Sequence, residues 1–142
     1  MSKVAVIFWS GTGNTETMAE SVRDGAKDAG ADVTLVQVDD FKVADMANFD
    51  GFIFGCPAMG DEVLEEDSFE PFFAEAEGKI KDIPVGLFGS YGWGGGAWME
   101  SWCDRTKEAG AKLIGNVIAE NSPDEEAVAN CEQLGKDVVA AL

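Results

Sequence analysis

Short apolar runs alternate with amphipathic stretches along the whole chain. The apolar runs have the length of buried strands and cover residues 3–9, 32–38, 51–56, 83–89 and 112–119. The amphipathic stretches that follow most of them cover residues 14–29, 69–78, 97–109 and 124–142. This alternation predicts five strands and four helices, arranged as a parallel sheet that is covered on both faces.

Glycine, serine and proline mark several of the predicted helix boundaries. Gly30 and Gly110 directly follow the first and third helices, where a left-handed residue commonly ends a helix. Before the last helix, Ser122 is suited to the N-cap, Pro123 to the first helical position, and Glu125 lies three residues after the cap. We therefore expect the last helix to be capped by Ser122.

Two apolar faces follow from helical spacing. The last helix carries an apolar residue on every third or fourth position, which predicts a core face of Val128, Cys131, Leu134 and Val138. Between the second and third strands, residues 41–48 are long enough for one further helical turn. In an α-helical turn Val43, Met46 and Ala47 would share one face.

The length and composition fit one compact domain. The chain has 142 residues, of which 46% are hydrophobic, enough for a conventional core, so we expect a single domain over residues 1–142. The amino terminus runs straight into an apolar strand without a basic region, a cleavage site or a long apolar span. We expect a cytoplasmic location.

The net charge bears on which partners the surface favours. Acidic residues outnumber basic residues 27 to 10, which gives a formal charge of −17. Such a surface repels nucleic acid and anionic membranes, so neither is expected as a partner. Basic surfaces are the natural complement, although a high charge also serves solubility alone.

The cysteines and the absence of histidine exclude several kinds of site. Cys56, Cys103 and Cys131 lie far apart without a CxxC pair, and the sequence contains no histidine. A zinc site is therefore not expected, and Ser-His and Cys-His nucleophile pairs are excluded. Scattered thiols in odd number suit a reducing compartment.

A polar loop follows the first strand and opens the first helix. At this edge of a parallel sheet a helix start directs free backbone N–H groups at a ligand, and glycines let the backbone fold closely around an anion. Hydroxyl and amide side chains add further donors. The loop consists of Ser10, Gly11, Thr12, Gly13, Asn14 and Thr15.

The loop sequence narrows the choice of phosphate. It lacks the Gly-Lys-Ser/Thr ending of a triphosphate loop, and a glutamate at position 16 spoils the dinucleotide fingerprint. No lysine or arginine lies in the loop, so neutral dipoles would hold the anion, which favours one terminal phosphate. The loop alone is also compatible with an ordinary capped turn or a simple anion-binding module.

Two further loops open on the same edge of the predicted sheet. They cover residues 55–62 and 89–96, and they place Met59 and Trp93 among glycines and polar residues. Large apolar side chains are costly to leave in water, but a flat aromatic ring between them would cover both. The alternative for either loop is that the side chain folds back onto the sheet.

Taken together, these three segments resemble the flavin-contacting segments of bacterial flavodoxins. They read WSGTGNT, PAMGDEVLE and LFGSYGWG, occur in the family's order, and belong to a likeness that spans the whole chain. The short connection from the last strand to the last helix resembles the short-chain branch of the family. The resemblance implies a three-layer, doubly wound α/β fold whose five parallel strands have the order 2-1-3-4-5, with FMN bound non-covalently.

The resemblance also implies roles for particular residues. Ser10, Gly11, Thr12, Gly13, Asn14 and Thr15 would cradle the FMN phosphate with help from Ser90. Met59 would cover the inner face of the isoalloxazine and Trp93 the outer face. Glu62 would accept from the flavin N3–H, and the backbone at Gly92 and Trp93 would meet the O2/N1 edge. The remaining residues of the implied site are Pro57, Ala58 and Tyr91.

Gly60 has a separate implied role. Its peptide would turn a carbonyl toward the protonated flavin N5, because glycine tolerates the positive φ that this reversal requires. The acidic residues Asp61, Glu62, Glu65, Glu66 and Asp67 would surround the site with negative charge, or form a solvated helix entry, or do both. Like charge opposes an anionic hydroquinone and lowers the potential of the second electron.

The implied function is that of an electron carrier and not an enzyme. The chain would be a low-potential one-electron carrier that shuttles between semiquinone and hydroquinone. Its partners would be redox enzymes of the ferredoxin-using type with basic docking surfaces, and the chain would be a monomer. The main alternative is an NAD(P)H-dependent FMN reductase, which needs room over the flavin and a basic phosphate contact. Trp93 and the carboxylates argue against that enzyme.

Overall fold

A five-stranded parallel sheet forms the centre of the computed structural model, which describes residues 2–11, 13–59, 63–92 and 95–142. The strands are β1 (Lys3–Phe8), β2 (Asp32–Gln37), β3 (Gly51–Gly55), β4 (Pro84–Tyr91) and β5 (Lys112–Glu120). The helices are α1 (Asn14–Asp28), α2 (Phe69–Ala76), α3 (Ala97–Glu108) and α4 (Glu125–Ala140). The order β2-β1-β3-β4-β5 confirms the predicted topology. Within the described ranges, no helix has the length and apolar character needed to cross a membrane.

Apolar side chains pack against both faces of the sheet. Strand β3 shows the alternation, because Phe52 and Phe54 lie in one core cluster while Ile53 lies in the other. The first cluster includes Phe69 of α2 and Trp102 of α3, and the second includes side chains of α1 and α4. The predicted three-layer arrangement is therefore confirmed.

Helices α1 and α4 touch through their backbones. A Cβ added at Gly25 of α1 would overlap the backbone carbonyl of Glu132, and one added at Gly135 of α4 would overlap the carbonyl oxygen of Val22. Two glycines facing each other's helix allow an approach that side chains would prevent. This close crossing fixes the position of α1, whose first turn begins at the polar loop.

The segment between β2 and β3 forms 3₁₀ turns instead of an α-helical turn. The turns cover Val38–Asp40 and Val43–Asn48. In a 3₁₀ helix residues three apart share a face, so Val43 and Met46 turn toward the core together with Phe49. The prediction that Ala47 shares this face is wrong, since Ala47 is exposed.

The predicted helix boundaries are confirmed in two places and corrected in one. Gly30 and Gly110 have left-handed φ angles of 97° and 89°. The N-cap of α4 is Asp124, whose side chain accepts from the Ala127 N–H at 2.8 Å. The prediction of Ser122 as the cap is wrong, because its hydroxyl donates to Asn14 Oδ1 at 3.2 Å.

The three cysteines are free thiols in different surroundings, which predicts unequal reactivity. Burial raises the pKa of Cys56 and Cys131 to about 12, and it also raises the pKa of the half-buried Cys103. Because the thiolate is the reactive form, an aromatic disulfide reagent at pH 8 should modify Cys103 first. The other two thiols should react only after unfolding in guanidinium. Two thiols that react at equal rates in the folded protein would contradict this expectation.

Candidate functional site

A cleft of about 250 Å³ opens at the carboxyl edge of the sheet. It lies where β1, β3, β4 and β5 end, which is where ligands bind in open parallel sheets. The loops after β1, β3 and β4 supply predicted site residues to its wall: Ser10, Gly11, Asn14, Thr15, Pro57, Ala58, Met59, Ser90, Tyr91 and Gly92. The structure thus brings together in one cleft the loops that the sequence identified separately.

The loop after β1 presents backbone N–H donors at the start of α1. Gly13 caps this helix with a left-handed φ of 97°. The Ser10 hydroxyl oxygen accepts from the N–H of Gly13 at 3.1 Å and of Glu16 at 3.3 Å. Among residues 2–11, 13–59, 63–92 and 95–142, none accepts from the N–H of Asn14 or Thr15. These N–H groups and the helix dipole make the loop an anion site.

A buried hydroxyl pair joins this loop to the end of β4. Thr15 Oγ1 lies 2.9 Å from Ser90 Oγ, and the two residues are 1% and 5% exposed. The family resemblance implies that Ser90 assists the phosphate loop, and the structure adds a hydrogen bond between Ser90 and Thr15. Each hydroxyl still has bonding capacity, so the pair can also turn toward a ligand in the cleft.

The loop after β3 is anchored on both sides of Met59. The Ala58 N–H donates to the Ser90 carbonyl at 3.0 Å. Met59 and Val63 form an isolated antiparallel bridge with two hydrogen bonds of 2.9 and 3.1 Å. These contacts hold Met59, whose side chain is partly exposed, at the wall of the cleft.

Several predicted site residues lie outside the described residues. They are Thr12 of the first loop, Gly60 and Glu62 of the second, and Trp93 of the third. Their predicted contacts with phosphate, N5, N3 and the outer ring face stay predictions.

Two residues of the cleft wall were not singled out from the sequence. Trp9 lines the cleft just before the polar loop, and its ring lies so close to Gly11 that an added Cβ would come within 2.9 Å. Asn121 reaches the cleft from the loop after β5, with a left-handed φ of 56° and an N–H that donates to Tyr91 O at 2.7 Å. The sequence offered one signal for Asn121: the last predicted strand ends at the same edge of the sheet, so the loop that follows it also lies near the cleft.

The wall of the cleft consists of apolar and neutral polar groups. Trp9, Ala58, Met59 and Tyr91 provide apolar surface, while the hydroxyls and free N–H groups lie toward α1. Glu65, which the sequence grouped with the charges around the site, is only 5% exposed and does not line the cleft. The wall that is described therefore suits a ligand with one anionic end and one flat apolar end.

Known proteins of one family resemble this chain over nearly its whole length. A family model described as flavodoxin matches residues 6–135. The flavodoxin of Megasphaera elsdenii is 47% identical over 138 residues, which cover 97% of this chain and 99% of that protein. The flavodoxin of Clostridium beijerinckii is 46% identical over 134 residues, which cover 94% and 96%. The solution structure of two-electron reduced Megasphaera elsdenii flavodoxin matches with a TM-score of 0.90 over 96% of this chain and 98% of that one.

Proposed function

The chain belongs to the flavodoxin family of FMN-binding electron carriers, and on that premise we propose that its FMN binds in the cleft at the carboxyl edge of the sheet. It is an electron-transfer protein and not an enzyme. FMN supplies chemistry in steps of one or two electrons when bound. The observation that carries the proposed location is a pair of N–H groups at the start of α1, those of Asn14 and Thr15, for which no described residue is an acceptor.

The phosphate end of the cofactor fits the polar side of the cleft. The N–H groups of Asn14 and Thr15 would donate to phosphate oxygens, and the Ser10 hydroxyl would turn from the N–H of Gly13 and Glu16 toward the anion. Ser90 would hold Thr15 in place through the hydrogen bond between their hydroxyls. Where that bond breaks, the Ser90 hydroxyl would donate to the phosphate. Gly11 and Thr12 complete this part of the proposal. Neutral donors of this kind match one phosphate monoester.

The ring end of the cofactor fits the apolar side. Met59 would cover the inner face of the ring and Trp93 the outer face, while Pro57, Ala58 and Tyr91 complete the wall. Glu62 and the backbone of Gly92 would meet polar edges of the ring, and Gly60 would offer its carbonyl to N5. We add Trp9 and Asn121 to the set, because both line the same cleft.

The proposal also includes the domain organisation, the oligomeric state, the redox partners and the location of the protein. Residues 1–142 act as one FMN-binding domain, a monomer that carries electrons at low potential to redox enzymes with basic docking surfaces. The charge of −17 supports basic partners because it favours encounter with positive surfaces. The free thiols support a cytoplasmic location, where thiols stay reduced.

Titration with FMN tests the proposed function. Apo-protein should take up one FMN per chain and become yellow, and stepwise reduction should proceed through two separate one-electron stages. A colourless preparation that takes up no FMN would rule out the proposal. Steady oxidation of NADPH by the FMN-loaded protein alone would favour the reductase instead.

A further inference from the structure

The first turn of α2 is capped by a buried carboxylate. Glu65 Oε1 accepts from the N–H groups of Ser68 and Phe69, and Oε2 accepts from the N–H of Asp67, each at 2.8 Å. Glu65 is 5% exposed, and Ser68, which stands at the N-cap position, makes no capping bond with its own side chain. Glu65 therefore performs the capping that Ser68 does not.

The same residue closes the loop that reaches the cleft. The Glu65 N–H donates to Cys56 Sγ at 3.4 Å, so the two ends of the segment 56–65, which we call the Met59 loop, lie against each other. Between them, Met59 and Val63 pair across the loop, and Met59 lines the cleft. Cys56 itself is held by its N–H, which donates to Phe88 O of β4 at 3.1 Å. The loop is therefore held at one end by the hydrogen bond of Cys56 to β4 and at the other by the bonds of Glu65 to the start of α2.

The helix that receives the cap is firmly placed. Arg105 of α3 donates to both oxygens of Glu70 at 2.7 Å and to Glu77 at 2.8 Å. Phe69 packs edge-on against Trp102, with ring centroids 5.4 Å apart. Because Glu65 bonds to the start of α2, the position of the loop depends on how α2 packs against α3.

We propose that Glu65 is a positioning residue that sets the place of the Met59 loop against the flavin, and so the relative affinity of the site for oxidised and reduced FMN. The inference rests on the proposed function. Both carboxylate oxygens face backbone N–H groups in a buried position. Glu65 thus acts through the geometry of the loop, and its charge contributes less than its hydrogen bonds.

Three variants separate geometry from charge. Glu65→Gln removes the charge and places an NH₂ group where an acceptor is needed. Glu65→Asp keeps the charge but shortens the side chain by one methylene, so three N–H groups can no longer be reached together. Glu66→Gln removes a neighbouring charge from an exposed residue and serves as the matched control. The readouts are FMN affinity and the two one-electron reduction potentials, measured on protein checked for folding by circular dichroism.

If Glu65 positions the loop, both Glu65 variants should change the ratio of affinities for two successive redox states by about tenfold, which equals about 59 mV for one electron. The Glu66→Gln variant should show only the smaller shift expected from the loss of one nearby charge. Equal shifts in Glu65→Gln and Glu66→Gln, with Glu65→Asp unchanged, would overturn the inference in favour of charge alone. Wild-type potentials in both Glu65 variants would overturn it as well. Failure of the wild type to bind FMN would instead overturn the proposed function.

Hydrogen exchange on the unmodified apo-protein tests the cap without any variant. The amides of Asp67, Ser68 and Phe69 should exchange at least tenfold more slowly than in an unfolded chain of the same sequence, although they lie before or at the start of a helix. Exchange at the unfolded rate would contradict the cap and, with it, the positioning role.

Discussion

Replacing Gly25 with alanine should lower the free energy of unfolding by about 3 kcal/mol, in the upper part of the range for overpacked sites. The added Cβ would overlap the backbone of Glu132, which cannot rotate away as a flexible side chain can. Alanine is more favourable than glycine in an α-helix by only about 1 kcal/mol, so the steric cost exceeds the gain in helix propensity. Helices α1 and α4 would have to separate. Urea unfolding monitored by circular dichroism measures the effect.

Gly78→Ala provides the matched control for this substitution. A Cβ at Gly78 meets nothing within 4 Å, and its φ is not positive. The same chemical change should therefore leave stability unchanged or raise it by up to about 1 kcal/mol through the unfolded state. Equal effects at Gly25 and Gly78 would show that the helices do not cross as closely as described.

The second large effect concerns the phosphate end of the cofactor. Apo-protein should bind FMN about 100-fold more tightly than riboflavin, because hydrogen bonds to a charged group contribute about 1.5–3 kcal/mol each. The N–H groups of Asn14 and Thr15 supply at least two such bonds. The preference should shrink as the pH falls below about 6, where the phosphate dianion takes up a proton and becomes a monoanion. Fluorescence quenching of each flavin during titration gives both dissociation constants.

Thr15→Val locates this preference within the loop. Loss of the hydroxyl leaves Ser90 Oγ without its partner, and FMN affinity should fall about tenfold, consistent with the cost of one unpaired buried polar group. Riboflavin affinity should change less than FMN affinity. Thr34→Val makes the same change at an exposed position of β2, away from the cleft, and should change neither affinity. A similar loss for both flavins in Thr15→Val would place the phosphate elsewhere.

The layout of the fold could be predicted because local patterns and global topology agree. Apolar runs of strand length, helical periodicity and the caps at Gly30 and Gly110 all depend on short-range rules. A helical turn within residues 41–48 could be predicted, but the prediction that Ala47 shares its core face was wrong. The segment follows a period of three, which buries Met46 and exposes Ala47. Distinguishing a period of 3.0 from 3.6 over so few residues requires the tertiary packing.

The part of the site that could be predicted is the part formed by loops directly after the strands. The loops after β1, β3 and β4 meet because parallel strands end at one edge. Asn121 was missed because the loop after β5 carries no glycine-rich signal, and its place in the cleft depends on the bend that its φ of 56° produces. Glu65 was grouped with the charges around the site because an acidic run gives no sign of which carboxylate is buried beneath the surface.

The contact between α1 and α4 has a consequence for biosynthesis. Gly25 belongs to the first helix of the chain and Gly135 to the last, so their packing joins segments far apart in sequence. The partner surface of α1 does not exist until α4 has left the ribosome, and such long-range contacts form late. The packing that holds the start of α1 in place is therefore complete only once α4 lies against α1. We therefore expect FMN to bind at the proposed site only after α4 has left the ribosome.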